Sequence, residues 1–249
     1  MKFSLHIILI LIFIGTSDLY SQDPDSLFNE ANKAYAEGDY QHALDLYSMI
    51  LGQGIESGEV FFNLGNTYYK MNDIGRAILY YEKAKKYIDG DPALEQNLKL
   101  CQLRIVDKIE AIPKLFIVQW WSSLTQLFSI NTFLWLCLVI FSMLIILMII
   151  NLIYPRQYLR RFIWVFTIIF ILIFIVTFSR IYEFETTKFG VILEEKVSVF
   201  SEPDVGGTEV FILHEGTKVQ INRTLNQWME ISIPDGKTGW LMKSNLEVI

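Results

Sequence analysis

The sequence has few residues of the kinds that hold metals or form disulfides. Its 249 residues include two cysteines and three histidines, which are scattered along the chain. Metal sites in proteins need several closely spaced cysteine, histidine or carboxylate ligands, so we expect no metal site and no bound cofactor. Cys101 lies in a polar portion and Cys137 in a strongly apolar one. We therefore expect no disulfide between them.

Motifs of the common enzyme classes are also missing. The sequence contains no Gly-x-Ser-x-Gly, no glycine-rich phosphate loop and no His-Glu-x-x-His. The paired acids Glu194 and Glu195 have no neighbouring histidine or nucleophile in the sequence. We therefore predict no catalytic residues and no enzyme activity.

Positive charge is scarce in the two polar portions of the chain. Residues 22–110 carry nine Lys or Arg against fifteen Asp or Glu, and residues 183–249 carry six against eleven. A nucleic-acid surface needs a basic footprint that neutralises phosphates. The charge distribution therefore predicts that the partners do not include nucleic acid.

Two long apolar runs lie close together near the middle of the chain. Residues 132–153 and 162–179 contain no charged side chain, and about 20 apolar residues suffice for a membrane-spanning helix. The link at residues 154–161 carries Arg156, Arg160 and Arg161 and no acid, which is typical of a cytoplasmic loop. The alternative is a pair of buried core helices, but apolar residues on every side favour a transmembrane hairpin.

The N-terminus is consistent with export. Lys2 precedes an apolar run at residues 5–14 and a short polar stretch, which is typical of a secretory signal peptide at residues 1–21. An uncleaved anchor is the alternative. A signal followed by two spans places both polar portions on one side. We expect a multi-pass protein of the bacterial inner (cytoplasmic) membrane with both soluble domains facing the periplasm.

A repeat with a period of 34 residues occupies the first polar portion. Ala31, Ala43 and Tyr47 recur as Gly65, Ala77 and Tyr81. Turn residues recur too, as Gly38-Asp39 and Asn72-Asp73. The period and pattern resemble the tetratricopeptide repeat, a pair of antiparallel helices. We assign residues 22–111 to a tetratricopeptide repeat domain whose last helical stretch, residues 93–109, is a capping helix.

The resemblance implies a peptide-binding groove lined by the first helix of each repeat. The corresponding positions are Asn32, Tyr35, Asn66, Tyr69 and Lys70. Paired asparagines hold a peptide backbone or terminal carboxylate in related repeats, but Phe28 and Phe62 stand here where those repeats have a basic residue. An apolar or helical partner is therefore favoured over a free carboxylate. The alternative is that these aromatic side chains pack against a membrane-proximal helix.

Residues 112–131 mix apolar and uncharged polar side chains just before the first apolar run. Trp120 and Trp121 lie within this segment, and tryptophan is enriched at the depth of lipid headgroups. We expect an interfacial amphipathic segment that anchors to the membrane surface.

The last portion, residues 188–249, alternates β-branched and polar residues in short stretches separated by turn signals. This pattern predicts a small all-β barrel. Trp228 and the element Gly236-Lys237-Thr238-Gly239-Trp240 resemble a bacterial SH3 domain, and such domains bind cell-wall peptides or protein partners. We expect Trp240 to pack in the barrel core, while Trp228 is either a core residue or part of a ligand surface.

The predicted fold class is a multi-domain membrane protein with helical repeats, a two-helix hairpin and an SH3-like barrel. This order of segments resembles the BatE-like proteins of the Bacteroides aerotolerance group. Similarity is marked at residues 103–116 and at Leu213-His214-Glu215-Gly216-Thr217. The resemblance implies a scaffold in a membrane complex linked to oxidative stress, with von Willebrand A-domain proteins as partners. The alternative is a cell-wall (peptidoglycan) binding or sensing protein acting through the SH3-like domain.

Overall fold

A computed structural model describes residues 23–113, 115–125 and 128–249. The predicted signal peptide at residues 1–21 lies outside the described residues.

Five helices form the repeat domain. They are α1 (Pro24–Glu37), α2 (Tyr40–Gly52), α3 (Gly58–Lys70), α4 (Ile74–Lys85) and α5 (Pro92–Arg104). Each begins after a residue whose side chain accepts a hydrogen bond from a backbone N–H of the first turn, the capping arrangement that satisfies free helix donors. These capping residues are Asp23, Asp39, Ser57, Asp73 and Asp91.

The turns inside the two repeats have the same geometry. Gly38 has a φ of 84° and Asn72 a φ of 69°, in the left-handed region that glycine and asparagine tolerate best. Asp39 and Asp73 follow these residues and cap α2 and α4. The turns predicted from the sequence are therefore confirmed, and helix pairs α1–α2 and α3–α4 are the two repeats.

Small residues allow the helices of each repeat to approach closely. Ala31 and Ala77 are fully buried, and the rings of Tyr47 and Tyr81 are each 1% exposed. A Cβ atom added at Gly65 would lie 2.5 Å from the Tyr81 ring, so only glycine fits there. The predicted roles of these small and aromatic residues are confirmed.

Helix α5 packs on α4 and ends at Arg104. The sequence predicted a helix through residue 109, and this prediction is wrong beyond Arg104. Residues 105–113 instead run without regular secondary structure along the C-terminal domain, and we call them the strap. The Ile112 N–H donates to the carbonyl of Pro234, and Ile109 packs against the core of that domain.

Three helices follow the strap. They are α6 (Phe116–Thr125), α7 (Ile130–Ile153) and α8 (Gln157–Thr186). Helices α7 and α8 pack side by side and are long and apolar enough to cross a membrane. In the most apolar 18-residue stretch of each helix, only 11% (α7) and 6% (α8) is buried, whereas core helices of a soluble protein are mostly buried. The sequence predicted an apolar helix that ends at residue 179, but α8 continues to the residue before Thr187. The acidic stretch after residue 179 contains no residue that interrupts helical hydrogen bonding.

The C-terminal domain is one antiparallel sheet of seven strands. They are β1 (Lys188–Ile192), β2 (Lys196–Phe200), β3 (Glu209–His214), β4 (Lys218–Leu225), β5 (Trp228–Ser232), β6 (Thr238–Met242) and β7 (Leu246–Val248), and their order is β3-β2-β6-β5-β4-β1-β7. The strands predicted around residues 196–200, 218–221 and 229–233 are therefore present. The predicted barrel closure is not, because β3 and β7 form the two edges and are not hydrogen-bonded to each other.

The repeat domain and the sheet domain are joined by contacts between distant parts of the chain. Val191 of β1 belongs to the same hydrophobic cluster as the repeat core. The Glu215 carboxylate accepts the N–H of Gly75, at the start of α4. Lys218 pairs with Glu82 at 2.7 Å, with two further contacts made by Lys83 and Lys86 to the end of the chain. The sheet therefore packs against α4, the second helix of the second repeat.

Candidate functional site

A cavity of about 210 Å³ opens on the side of the repeat domain formed by first helices. It brings together four of the five residues predicted to line a peptide-binding groove. Its lining comprises Tyr35, Asn66, Tyr69, Lys70, Tyr81, Asn97 and Leu100. Asn32, the fifth predicted residue, does not line this cavity and lies one repeat earlier on α1.

Two hydrogen bonds fix the side-chain amide of Asn66. Its Oδ1 accepts the Tyr81 hydroxyl at 2.8 Å and the Nδ2 of Asn97 at 2.9 Å. With the oxygen occupied by two donors, the remaining group is Nδ2, which donates to no atom in the described part of the chain. The amide therefore offers a hydrogen-bond donor to a ligand.

The same arrangement occurs 34 residues earlier. Asn32 Oδ1 accepts the Tyr47 hydroxyl at 2.6 Å and the Nδ2 of Asn63 at 2.9 Å. Asn32 Nδ2 likewise has no partner among the residues that the structure describes. Two amides with the same orientation thus stand on adjacent repeats, and both are set to donate to acceptor groups such as peptide carbonyls or carboxylates.

The tyrosines beneath the asparagines are held in their neutral, donating form. Burial raises the pKa of Tyr47 to about 12, and burial likewise raises the pKa of Tyr81. Burial also raises the pKa of Tyr35, and a second contribution comes from nearby Tyr40. Since none of these hydroxyls ionises near neutral pH, the hydrogen-bond network beneath the groove keeps its direction.

Positive charge lies at one end of the cavity. Lys70 is exposed at the end of α3 and forms no ion pair within the described ranges. The Arg104 guanidinium lies 5.5 Å from the centre of the Tyr69 ring and donates to Asn72. Together with the two amide donors, these groups make the groove suited to a ligand rich in acceptors.

Asn63 and Asn97 were not recognised from the sequence as part of the site. They are 34 residues apart, and each donates to an asparagine 31 residues before it. The 34-residue spacing was the available signal, and it extends the repeat register into α5. The other positions of α5 match the repeat pattern poorly, which is why the sequence predicts a capping helix there.

The sheet-domain residues singled out from the sequence have different environments. Trp240 is 6% exposed, and the guanidinium of Arg223 lies over its ring, 4.9 Å from the ring centre. A Cβ atom at Gly239 would lie 2.5 Å from Val199, and Gly236 has a φ of 85° in the β5–β6 turn. Trp228 is half-buried, with its ring at 6.0 Å from Phe200 in an edge-to-face arrangement. The indole of Trp228 is thus the accessible one of the two.

The link arginines lie together at the turn of the helical hairpin. Arg156 immediately precedes α8, and Arg160 and Arg161 belong to its first turns. All three side chains are exposed. No group of three potential metal ligands is present in the part of the chain that the structure describes.

Comparison with known proteins identifies the repeat. A tetratricopeptide repeat family matches residues 58–91, which comprise α3, α4 and the following turn. No curated protein matches the chain. Among solved structures, the chain is similar to NlpC2 from Trichomonas vaginalis, with 19% identity over 26% of this chain and 26% of that one and a TM-score of 0.24. The repeat supports a role in protein–protein interaction.

Proposed function

We propose that this protein is a membrane-anchored scaffold without catalytic activity, which binds a segment of a partner protein in the groove of its repeats. The observation that carries the proposal is the pair of identically oriented asparagine amides, Asn32 and Asn66, each with an Nδ2 donor that has no partner among the described residues. A row of fixed donors on successive repeats matches the regularly spaced carbonyl groups of a bound peptide. The binding mode is therefore capture of a chain segment.

The proposed setting is the periplasmic face of a bacterial inner membrane. Helices α7 and α8 would form the anchor, and the three arginines of the link would stay in the cytoplasm. The chain's similarity in order of segments to BatE-like proteins supports membrane-held partners. By the same resemblance, the proposed partners are von Willebrand A-domain proteins in a complex linked to aerotolerance. The C-terminal sheet is then an SH3-like domain.

The groove is tested by removing the two donors. Replacing Asn32 and Asn66 together by aspartate keeps the oxygens that accept from the tyrosines but replaces each N–H donor by a negatively charged oxygen, which repels acceptor groups. Losing a hydrogen bond from a desolvated groove costs about 1–3 kcal/mol each. We expect crosslinks to partner proteins in native membranes to disappear. Asn29→Asp, at an exposed position of α1, is the matched control and should leave them intact. Retained crosslinks in the double variant would contradict the groove.

The topology is tested with reporter fusions. Fusions after residue 110 and at the C-terminus should behave as exported, and activity of a cytoplasm-only reporter at either point would overturn the orientation. Replacing Arg156, Arg160 and Arg161 together should weaken the preference, because positive charge retains a short loop in the cytoplasm.

A second candidate function is binding of peptidoglycan by the sheet domain. The observation that favours it is the half-buried indole of Trp228 against Phe200, since an accessible aromatic pair offers an apolar platform with a polar N–H. The full-length protein in detergent should then sediment with purified peptidoglycan. Trp228→Ala should abolish sedimentation, while Trp164→Ala in α8 should not. Equal sedimentation of both variants would rule out this surface.

A further inference from the structure

We propose that the groove between the strap and strand β3 binds an extended segment of a partner protein carrying apolar and basic side chains. This surface lies on the sheet domain and is separate from the groove of the repeats. Its cavity measures about 460 Å³. The lining comprises residues 106–110 of the strap, residues 211–213 of β3, and Ile233, Asp235 and Lys237.

Strand β3 offers backbone groups for pairing. It is an edge of the sheet, so no strand of the described part of the chain pairs with its outer side. The His214 N–H points to this outer side, because it donates to the Asp107 carboxylate at 2.7 Å. Backbone groups two residues apart in a strand point the same way, so the N–H and C=O of Ile212 also face outward. Partner segments commonly bind by adding a strand to such an edge.

The usable edge is short. The pairing of β2 with β3 shifts register at Val199 and Phe200, leaving Val210 as an extra residue on β3. Such a bulge interrupts regular pairing. Because the His214 N–H is already bonded to Asp107, regular main-chain hydrogen bonds with a partner are confined to Ile212. The side chains of the partner must therefore supply most of the affinity.

The groove offers apolar contacts for those side chains. Ile109 and Phe211 are partly buried against the core of the sheet domain. Val106 is 67% exposed and Val210 is 49% exposed. Exposed aliphatic side chains that flank a groove and a free strand edge are typical of an interaction surface. Apolar side chains of a partner would cover them.

Among the charged side chains at or next to the groove that form no ion pair in the described part of the chain, two are acidic and one, Lys108, is basic. Lys108 donates to the carbonyls of Gln102 and Leu103, and Lys237 pairs with Asp235 at 2.8 Å. Lys237 is thus ion-paired, whereas the Lys108 ammonium keeps its charge and is directed to backbone carbonyls at the end of α5.

Glu110 on the strap and Glu209 at the start of β3 are exposed, and neither forms an ion pair within the described residues. Complementary charge selects partners and accelerates their association. The surface therefore favours basic residues alternating with the apolar ones.

The test measures binding of a fluorescein-labelled peptide of alternating valine and lysine to the full-length protein in nanodiscs of zwitterionic lipid. We expect saturable binding that empty nanodiscs lack, and no binding of the same peptide with glutamate in place of lysine. The double variant Glu110→Lys with Glu209→Lys should weaken binding about tenfold, in line with the strength of exposed ion pairs. Glu59→Lys, at an exposed position of α3, should not change it.

Two further measurements separate strand pairing from non-specific attraction. A peptide N-methylated at alternate amides keeps its charge but cannot pair along one side, and it should fail to bind. The repeat variant Asn32→Asp with Asn66→Asp should bind the unmodified peptide normally. The proposal is overturned by absent binding to the wild-type protein, by equal binding of the methylated or acidic peptide, or by loss of binding in the repeat variant.

Discussion

Replacing Gly65 by alanine should destabilise the repeat domain, although the equivalent residue of the first repeat is itself an alanine. The added Cβ would lie 2.5 Å from Cδ1 and 2.6 Å from Cε1 of the Tyr81 ring. That ring is 1% exposed, and its hydroxyl is bonded to Asn66 at 2.8 Å, so it cannot swing away. Ala31 shows that the sequence repeat alone would predict tolerance.

The magnitude follows from two opposing effects. Overpacking a core costs about 1–3 kcal/mol. Replacing glycine by alanine within a helix stabilises it by about 1 kcal/mol. Because the contact is so short, we place the overpacking cost toward the upper end, and we expect a net destabilisation of about 1–2 kcal/mol.

Amide hydrogen exchange of the full-length protein in detergent measures this effect locally. Peptides from α3 and α4 should exchange about 5- to 30-fold faster, the factor that corresponds to 1–2 kcal/mol. Gly52→Ala is the matched control, because a Cβ there meets no atom within 4 Å and the residue is helical. It should leave exchange unchanged or slow it. If Gly65→Ala also slows exchange, the packing argument is wrong.

Two other substitutions, Asp107→Asn and Tyr81→Phe, should each destabilise the folded state. Partial burial acts to raise the pKa of Asp107, but hydrogen bonds from Thr217 and His214 outweigh it and hold that pKa below its ordinary value of 3.8. The carboxylate therefore stabilises the folded state above pH 3.8, and this contribution is lost as the pH falls below that value. Asp107→Asn should cost about 1–3 kcal/mol at neutral pH and flatten the acid dependence of the melting temperature; an unchanged acid limb would contradict it. Tyr81→Phe removes one of two donors to Asn66 and should cost about 0.5–1.5 kcal/mol, read from exchange in α3 and α4; no change there would mean that the hydroxyl is not structural.

Several features of the repeat domain could be predicted because they depend on local sequence. The left-handed turns at Gly38 and Asn72 and the aspartate caps that follow them are set by residues next to one another. The buried Tyr47 and Tyr81 follow from helical spacing within one repeat. A 34-residue period repeats these local choices, so the sequence predicts the helix pairs without knowledge of distant contacts.

The candidate groove was predicted only in part. Sequence spacing placed Asn66, Tyr69 and Lys70 on one surface, and all three line the same cavity. It could not assign the direction of the Asn66 amide, since an asparagine can donate or accept until its partners are known. The hydroxyl of Tyr81 and the amide of Asn97 decide this, and the second of these comes from the next helix.

By itself, the sequence determined the elements whose causes are local: amphipathic helix pairs, two long apolar helices and short alternating strands. Only the tertiary structure decided how the two domains meet. The contacts of Asp107 with His214 and of Gly75 with Glu215 join residues more than 100 positions apart. The sequence predicts a helix through residues 105–109 of the strap, but as a single extended segment the strap can reach the sheet edge and satisfy the His214 N–H there. Such pairings depend on the relative position of whole domains, which no local pattern of residues encodes.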